Sequence, residues 1–331
     1  MNILSDVVIG LDIGGTTIKI GLIDKNGDII EKWEISTNKE EKGIYIVDDI
    51  WHSVTSHLDD LMINRNDIIG IGAGAPGFID NESGKVHEAV NVGWKNFELA
   101  AKLKAISGLP VFVENDANIA ALGENWRGAG ERAKDLIVMT LGTGVGSGII
   151  ANGAILTGTN GTAAEIGHII VDPDGYSCNC GRIGCLDTIA SATGIVHQAM
   201  DQITAHPTSD LSAYYNKQGK IDSKDIFDLA AQGDSICKEI INRTGKIIGA
   251  ELARAAMLIN PSKIIVGGGL SKAGDQLLHV IIKYFHEYAL PRVSRVCEVK
   301  LAQLGNDAGI IGAAYYVLQQ YPKRNQAALS R

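Results

Sequence analysis

The sequence predicts an α/β protein made of two related halves. Three observations carry this reading. Short apolar runs of strand length alternate with segments of helical periodicity; one order of strand, glycine turn, strand and Asn-Gly occurs twice; and the composition can furnish more than one core. Of 331 residues, 45% are hydrophobic but only 5% aromatic, so two cores built from Ile, Leu, Val and Ala are expected.

Residues 7–13 form a short apolar strand ending at Gly14-Gly15, and residues 17–23 a second. Asn26-Gly27 is a strong signal for a two-residue hairpin turn into a third strand, 29–35. Ile44, Val47, Trp51, Val54, Leu58 and Leu61 recur at three- and four-residue spacing, the apolar stripe of a helix. A strand over 68–75 follows, then a helix over 98–107 closed by Gly108 with Pro110 beyond. The strand 111–114 runs into Asn115-Asp116, which can cap a helix over 117–126. The pattern then restarts. A strand over 136–141, a glycine turn, a strand through Ile150 and a second Asn-Gly at 152–153 repeat the grammar of residues 7–27. Helices are predicted over 223–232, 235–258 and 273–288, strands over 264–266 and 299–303, and a last helix from about Asp307. The expected division is a smaller domain over 1–118, rejoined by the C-terminal helix at about 304–331, and a larger one over 119–303.

Thirty Lys and Arg against 38 Asp and Glu give a net charge of −8, with no basic stripe, which argues against nucleic acid and anionic membranes as partners. Residues 1–6 lack a basic segment leading into a long apolar run, so no secretory signal is expected. The uncharged stretch 136–164 is broken by Gly142, Gly144, Gly146, Gly148 and Gly153, too often for a membrane span. Five cysteines, three of them within eight residues, fit a reducing compartment better than a disulfide framework. A cytoplasmic protein is expected.

Two glycine turns invite a phosphate. In Asp12-Ile13-Gly14-Gly15-Thr16-Thr17-Ile18-Lys19 the glycines let backbone approach an anion, the threonines can donate, and Asp12 can hold Mg²⁺ through water. An ordinary hairpin with a capping Asp explains the same residues. The second turn, from Gly142-Thr143-Gly144 to Gly148, favours the phosphate reading, because two such loops can grip a triphosphate from both sides. Both open strands rather than helices, so neither a Walker A nor a dinucleotide loop applies. A third cluster, Gly267-Gly268-Gly269, lies where a nucleotide's base or sugar can rest.

His168, Cys178, Cys180 and Cys185 offer one imidazole and three thiolates, a donor set that suits tetrahedral, structural Zn²⁺. Three reduced thiols beside an unrelated histidine is the plainer alternative. Cys237 and Cys297 read as core residues.

In order and spacing, the three glycine clusters resemble the phosphate and adenosine motifs of the actin/hexokinase/Hsp70 superfamily. The run 164–185, with its Ala164-Glu165-Ile166-Gly167-His168 and its Cys178-x-Cys180-x4-Cys185, resembles the ROK family of repressors and sugar kinases. With Glu114-Asn115-Asp116-Ala117-Asn118 the likeness covers nearly the whole chain. It implies two ribonuclease H-like domains with a cleft between them and transfer of phosphate from Mg-ATP to a hexose, with Asp116 as general base. Asp12, Gly14, Gly15, Thr16, Thr17, Lys19, Gly142, Thr143, Gly144 and Gly267 to Gly269 would then face the nucleotide. Gly77, Asn91, Asn115, Glu165, His168 and Asp187 would face the sugar, and His168 would serve the zinc as well. Taken without the likeness, Asp116 is equally a helix cap.

Two departures stand out. Asp187 occupies a position where glucokinases of the family usually carry Glu, and Ala164 one where they usually carry Gly, a change expected to cost little. Glucose is the expected substrate, with N-acetylmannosamine, fructose, mannose or allose as alternatives and a homodimer or homotetramer as the expected assembly. A sugar sensor without activity is disfavoured by the intact set Asp12, Asp116, Glu165 and His168. A DNA-binding repressor is disfavoured because the first strand begins by Val7.

Overall fold

The computed structural model describes residues 6–329; side chains at 272, 273 and beyond 321 lie outside the description, as do residues 1–5 and 330–331 of the expected elements. The chain forms two compact units. The first runs to Arg132 and takes in Ile155–Ala163 and the chain from Asn306; the second is Ala133–Ala154 with Ala164–Gly305. Among the described residues no helix is long and apolar enough to cross a membrane.

The first unit holds β1 (Val7–Ile13), β2 (Thr17–Ile23), β3 (Ile29–Ser36), α1 (Ile46–Asp60), β4 (Ile68–Ala75), β5 (Phe78–Asp80), β6 (Lys85–Ala89), β7 (Trp94–Phe97), α2 (Leu99–Ser107), β8 (Val111–Asn115), α3 (Asp116–Arg127) and the C-terminal helix Ala308–Leu329. Its main sheet has the order β3-β2-β1-β4-β8. β1 pairs antiparallel with β2 and parallel with β4, which is parallel to β8. Val7, Ile9, Leu11 and Ile13 share one core with Ile50, Trp51 and Val54 of α1 and Leu99 and Leu103 of α2. On the opposite face, Gly10 of β1 and Gly72 of β4 are glycines for a reason. A Cβ on Gly10 would lie 2.1 Å from the Ile310 carbonyl oxygen, and one on Gly72 2.0 Å from that of Ala313. The backbone of the C-terminal helix therefore lies directly on the strands. It meets α3 as closely, since a Cβ on Gly312 would stand 1.8 Å from the Ile119 oxygen. This packing is why the division falls after Arg132 rather than near residue 118: α3 belongs to the first unit.

The second unit holds β9 (Leu136–Leu141), β10 (Val145–Ala151), β11 (Ala154–Ile155, at its border), α4 (Asp187–Ala190), α5 (Ala192–Ala205), α6 (Asp210–Gln218), α7 (Ser223–Gln232), α8 (Ser235–Ile259), β12 (Lys263–Gly267), α9 (Asp275–Tyr288), α10 (Pro291–Ser294) and β13 (Glu298–Leu301). Its sheet order, β11-β10-β9-β12-β13, again places a hairpin beside two parallel strands. The repeat read from residues 7–27 and 137–153 is thus a repeat of sheet topology.

The two Asn-Gly pairs behave differently. Asn152 and Gly153 form a two-residue turn with φ of +53° and +80°, as that dipeptide favours. Asn26-Gly27 instead sits in a five-residue loop between Ile23 and Ile29, organised by Asp24, whose Oδ1 accepts from Asn26 N at 2.9 Å and Asp28 N at 2.8 Å. The helix expected from residue 273 begins at Asp275, after a 3₁₀ turn over Gly269–Ala273.

Candidate active site

In the first unit β1, β4 and β8 lie side by side and parallel, so their carboxyl ends share one sheet edge. From that edge rise the Gly14-Gly15 turn after β1, Gly77 after β4, and Asn115-Asp116 at the end of β8. Open α/β sheets bind their ligands at such an edge.

The first turn is pinned from outside. Gly14 N donates to Thr17 O at 3.0 Å and Thr37 N to Thr16 O at 2.9 Å, while Thr37 Oγ1 donates to Gly14 O at 2.7 Å. Asp12 and Lys19 are cross-strand partners with a 3.3 Å ion pair. A Cβ on Gly309 would meet the Asp12 carboxyl carbon at 2.6 Å, so the first turn of the C-terminal helix closes on that carboxylate. Asn91 packs on Gly15, its Cβ 3.0 Å from where a Cβ on that glycine would be.

Asn115 caps α3: its Oδ1 accepts from Ala117 N at 2.9 Å and Asn118 N at 3.3 Å, and its Nδ2 donates to Gly77 O at 3.1 Å. Gly77, at φ +87°, leaves no room for a side chain, since a Cβ would lie 1.9 Å from Glu88 O. Asp116 opens the helix, half-buried, with Oδ1 accepting from Ala117 N at 2.8 Å. Behind it Glu114 is fully buried. Burial holds its carboxyl above the usual range, against hydrogen bonds from Asn118, Asn115 and Asn81.

In the second unit the glycine turn Gly142–Gly144 follows β9, and Gly268 follows the parallel neighbour β12. The two turns abut, because a Cβ on Gly268 would stand 2.4 Å from the Leu141 oxygen. The start of α5 holds the first of them: Ala192 N donates to Gly142 O at 2.9 Å and Thr193 Oγ1 to Thr143 O at 3.1 Å. Asp187 Oδ1 accepts from Val145 N at 2.6 Å. Beside Gly269 and Leu270 a cavity of about 330 Å³ is lined by Phe227, Lys224, Asp228 and Gln276.

The metal donors converge. The ligand atoms of His168, Cys178, Cys180 and Cys185 lie within 4.8 Å of one another. Cys180 Sγ is 3.6 Å from Cys185 Sγ, and Cys178 Sγ is 3.7 Å from His168 Nδ1. A tetrahedron with Zn–S bonds of about 2.3 Å has edges of about 3.8 Å. The donor set and its spacing therefore fit zinc, with all four positions filled by protein and a purely structural task. The knuckle is shaped by Gly181 and Gly184 at φ +85° and +74°, and Cys178 N donates to Arg182 O at 2.8 Å. Burial pushes Cys237, helped by Asp234, and Cys297 up to about 12, so both stay inert core thiols.

Glu165 precedes the short turn that carries His168. Partial burial raises its pKa, and the nearby His168 opposes that shift. The low cost expected of Ala164 does not hold. Its φ is +66°, in the left-handed region that costs an L-residue roughly 1–2 kcal/mol, and its carbonyl accepts from Ser147 Oγ. The sequence reading passed over Thr37, Asn81, Thr193 and Gly309. Thr37 carries a faint signal as the residue following β3; the others gain their roles from segments remote in the chain.

Residues 8–320 match the model of the ROK family. The chain belongs to the ROK family. Among ROK relatives it is 49% identical to a glucokinase of Halalkalibacterium halodurans, over 94% of this chain and 95% of that one. A ROK glucokinase from Streptomyces griseus, solved with glucose and AMPPNP, superposes with a TM-score of 0.76 at 38% identity, covering 95% of this chain and 99% of that chain. A ROK transcriptional regulator, a homologue of the E. coli MLC protein, gives 0.84 at 27% identity, covering 97% of this chain and 80% of that one. The α/β fold of two related halves and the ROK assignment read from the sequence both hold.

Proposed function

We propose that this ROK protein is an ATP-dependent glucokinase that phosphorylates glucose at its 6-hydroxyl. The observation that carries this reading is the gathering of the Asp12 turn, Gly77 and Asn115-Asp116 at the carboxyl ends of three adjacent parallel strands. A phosphate loop and a carboxylate of suitable geometry thus rise from one edge. The Asp116 carboxylate takes the proton of the 6-hydroxyl as that oxygen bonds the γ-phosphorus and the bond to the β-phosphate oxygen breaks, leaving ADP. In the first unit Gly77, Asn91 and Asn115 are the groups offered to the sugar; in the second they are Glu165, His168 and Asp187, the last through the oxygen not committed to Val145 N. The Gly14 turn of the first unit and the Gly142 turn of the second each offer backbone to phosphate, and the cavity beside Gly269 takes the adenosine. Mg²⁺ arriving with ATP would supply charge neutralisation at the transferring phosphate, and Asp12 would hold its water while Lys19 would meet the phosphate oxygens.

Asp116→Asn tests the assignment. With Mg-ATP and glucose, kcat should fall by at least about 10³-fold, the scale of a lost general base, while the melting temperature stays put. A variant retaining near wild-type turnover would remove Asp116 from the role. Asp187 in the place of the usual Glu favours a different hexose as the second reading, and a panel of N-acetylmannosamine, fructose, mannose and allose separates the two. The absence of any sugar-dependent ADP release would overturn both.

The protein works in the cytoplasm, in keeping with five unpaired cysteines, and as a homodimer or homotetramer. Exposed Met257, Leu258, Leu290, Val296, Ile170 and Ile183 all belong to the second unit. So does a cavity of about 480 Å³ lined by Arg243, Lys246, Arg254 and Glu251, whose buried Oε2 has no partner. Such a surface calls for a cover. Light scattering should give a multiple of the 35.2 kDa chain mass; a monomer at micromolar concentration would refute the assembly.

A further inference from the structure

We infer that Glu114 is the positioning residue of the catalytic edge, holding Asn115 and Asp116 in working geometry; the inference rests on the kinase reading above. Glu114 is 0% exposed. Its Oε1 accepts from Asn115 N at 2.8 Å and Asn118 Nδ2 at 3.0 Å, and its Oε2 accepts from Asn81 Nδ2. All three partners are neutral. Burying a carboxylate without a cation costs several kcal/mol of solvation, while an apolar residue here would leave all three donors without their acceptor.

What a carboxylate supplies is acceptance on both oxygens at once, from three separate pieces of backbone. Asn81 belongs to the turn between β5 and β6, Asn115 ends β8, and Asn118 sits in the first turn of α3. Asn118 Oδ1 is buried with no partner, so its donation to Glu114 is what fixes that side chain. Asn115, gripped at its N–H by Glu114, in turn caps α3 and bonds Gly77 O. Asp116 lies between this gripped residue and Ala117, whose N–H is shared by Asn115 Oδ1 and Asp116 Oδ1. Glu114 therefore sets the direction from which Asp116 enters the site without needing to touch substrate. Displacements of about 1 Å at a reacting group can cost on the order of 100-fold in rate.

The test uses the full chain. Glu114→Gln keeps the shape but turns an acceptor into an NH₂ that faces a donor, either at Asn81 or at Asn115 and Asn118. With Mg-ATP and the sugar the wild type phosphorylates, kcat should fall at least tenfold while KM for either substrate moves less than threefold. Adding Asn81→Asp restores a hydrogen bond of reversed polarity, and the Glu114→Gln/Asn81→Asp protein should recover most of the lost kcat. A residue that served stability alone would lower the melting temperature and leave kcat of the folded protein intact. Should Glu114→Gln not fold, Asn81→Ala, which removes a donor from the far side, should still lower kcat at least fivefold. Wild-type kcat in Glu114→Gln, or in Asn81→Ala where that variant stands in, overturns the inference, and so does a loss that the double variant fails to recover. Each of these outcomes leaves the kinase reading standing, whereas a wild-type protein without turnover would sink that reading first.

Discussion

Gly312 offers a direct test of how α3 is held. It lies in the C-terminal helix, and a Cβ there would stand 1.8 Å from Ile119 O and 2.8 Å from Gly123 N of α3. The obstacle is backbone, so no side chain can swing aside. Bringing that contact to the roughly 3.3 Å of a tolerable C···O approach requires the helices to part by more than about 1 Å. Overpacking of this kind costs typically 1–3 kcal/mol, and an unyielding backbone neighbour argues for about 3. Alanine recovers about 1 kcal/mol of helix propensity over glycine. Gly312→Ala should therefore destabilise the first unit by about 2 kcal/mol, a fall in Tm of roughly 4–8 °C. Because α3 begins at Asp116, kcat should fall too. Gly74→Ala is the matched control: its Cβ would meet Ile119 at an ordinary 3.4 Å. Thermal melts followed by circular dichroism, with the coupled kinase assay, read both effects. A Gly312→Ala protein as stable as the wild type would refute the close approach of the two helices.

Two further outcomes follow from the second unit. A chelator that strips zinc should lower Tm by at least about 10 °C, since structural zinc sites contribute directly to folding, and elemental analysis of the untreated protein should find one zinc per chain; metal-free protein with an unchanged melt would remove the site. Ala164→Gly should raise stability by about 0.5–1 kcal/mol, the left-handed strain relieved less the greater chain entropy of glycine; an equal or lower chemical-denaturation midpoint would show that the strain is not there.

Much of the fold was legible because its strands are long and apolar. β1, β2, β4, β9 and β12 consist mainly of Ile, Val, Leu and Gly, and the inner stripe of α1 repeats at helical spacing. β5, β6 and β7, of three to five residues with exposed Phe78, Glu88 and Lys95 among them, carry too little periodicity to be seen. The border at Arg132 was hidden for another reason. Nothing near residue 118 announces that α3 will pack on a helix almost two hundred residues later; the signal is the pair of glycines, Gly123 and Gly312, read jointly. The site divides similarly. Residues that act through their own loops, such as Gly14, Asn115 and the Cys178–Cys185 knuckle, were readable from local spacing. Residues that brace those loops from afar, such as Thr37 and Thr193, have no local pattern and emerge only when the chain is folded.

Asp187 ties these levels together. It comes two residues after the zinc ligand Cys185 and opens α4, with Thr188 Oγ1 donating to Cys185 O at 2.8 Å and Leu186 N to Ile169 O at 2.8 Å. Its Oδ1 in turn receives Val145 N from the strand that follows the Gly142 turn. Metal knuckle, α4 and glycine turn thus form one continuous support within the second unit. The short side chain suits this arrangement: a Cβ on Gly144 would already be 2.7 Å from Oδ1, so a carboxylate reaching farther in that direction would collide with the turn. A glutamate in this place would have to turn away from Val145, leaving that N–H to another acceptor. Asp187 accordingly commits one carboxylate oxygen to the turn and keeps the other for a ligand. The knuckle's influence then extends past α4 to the Gly142 turn, and loss of zinc should loosen the knuckle and that turn together.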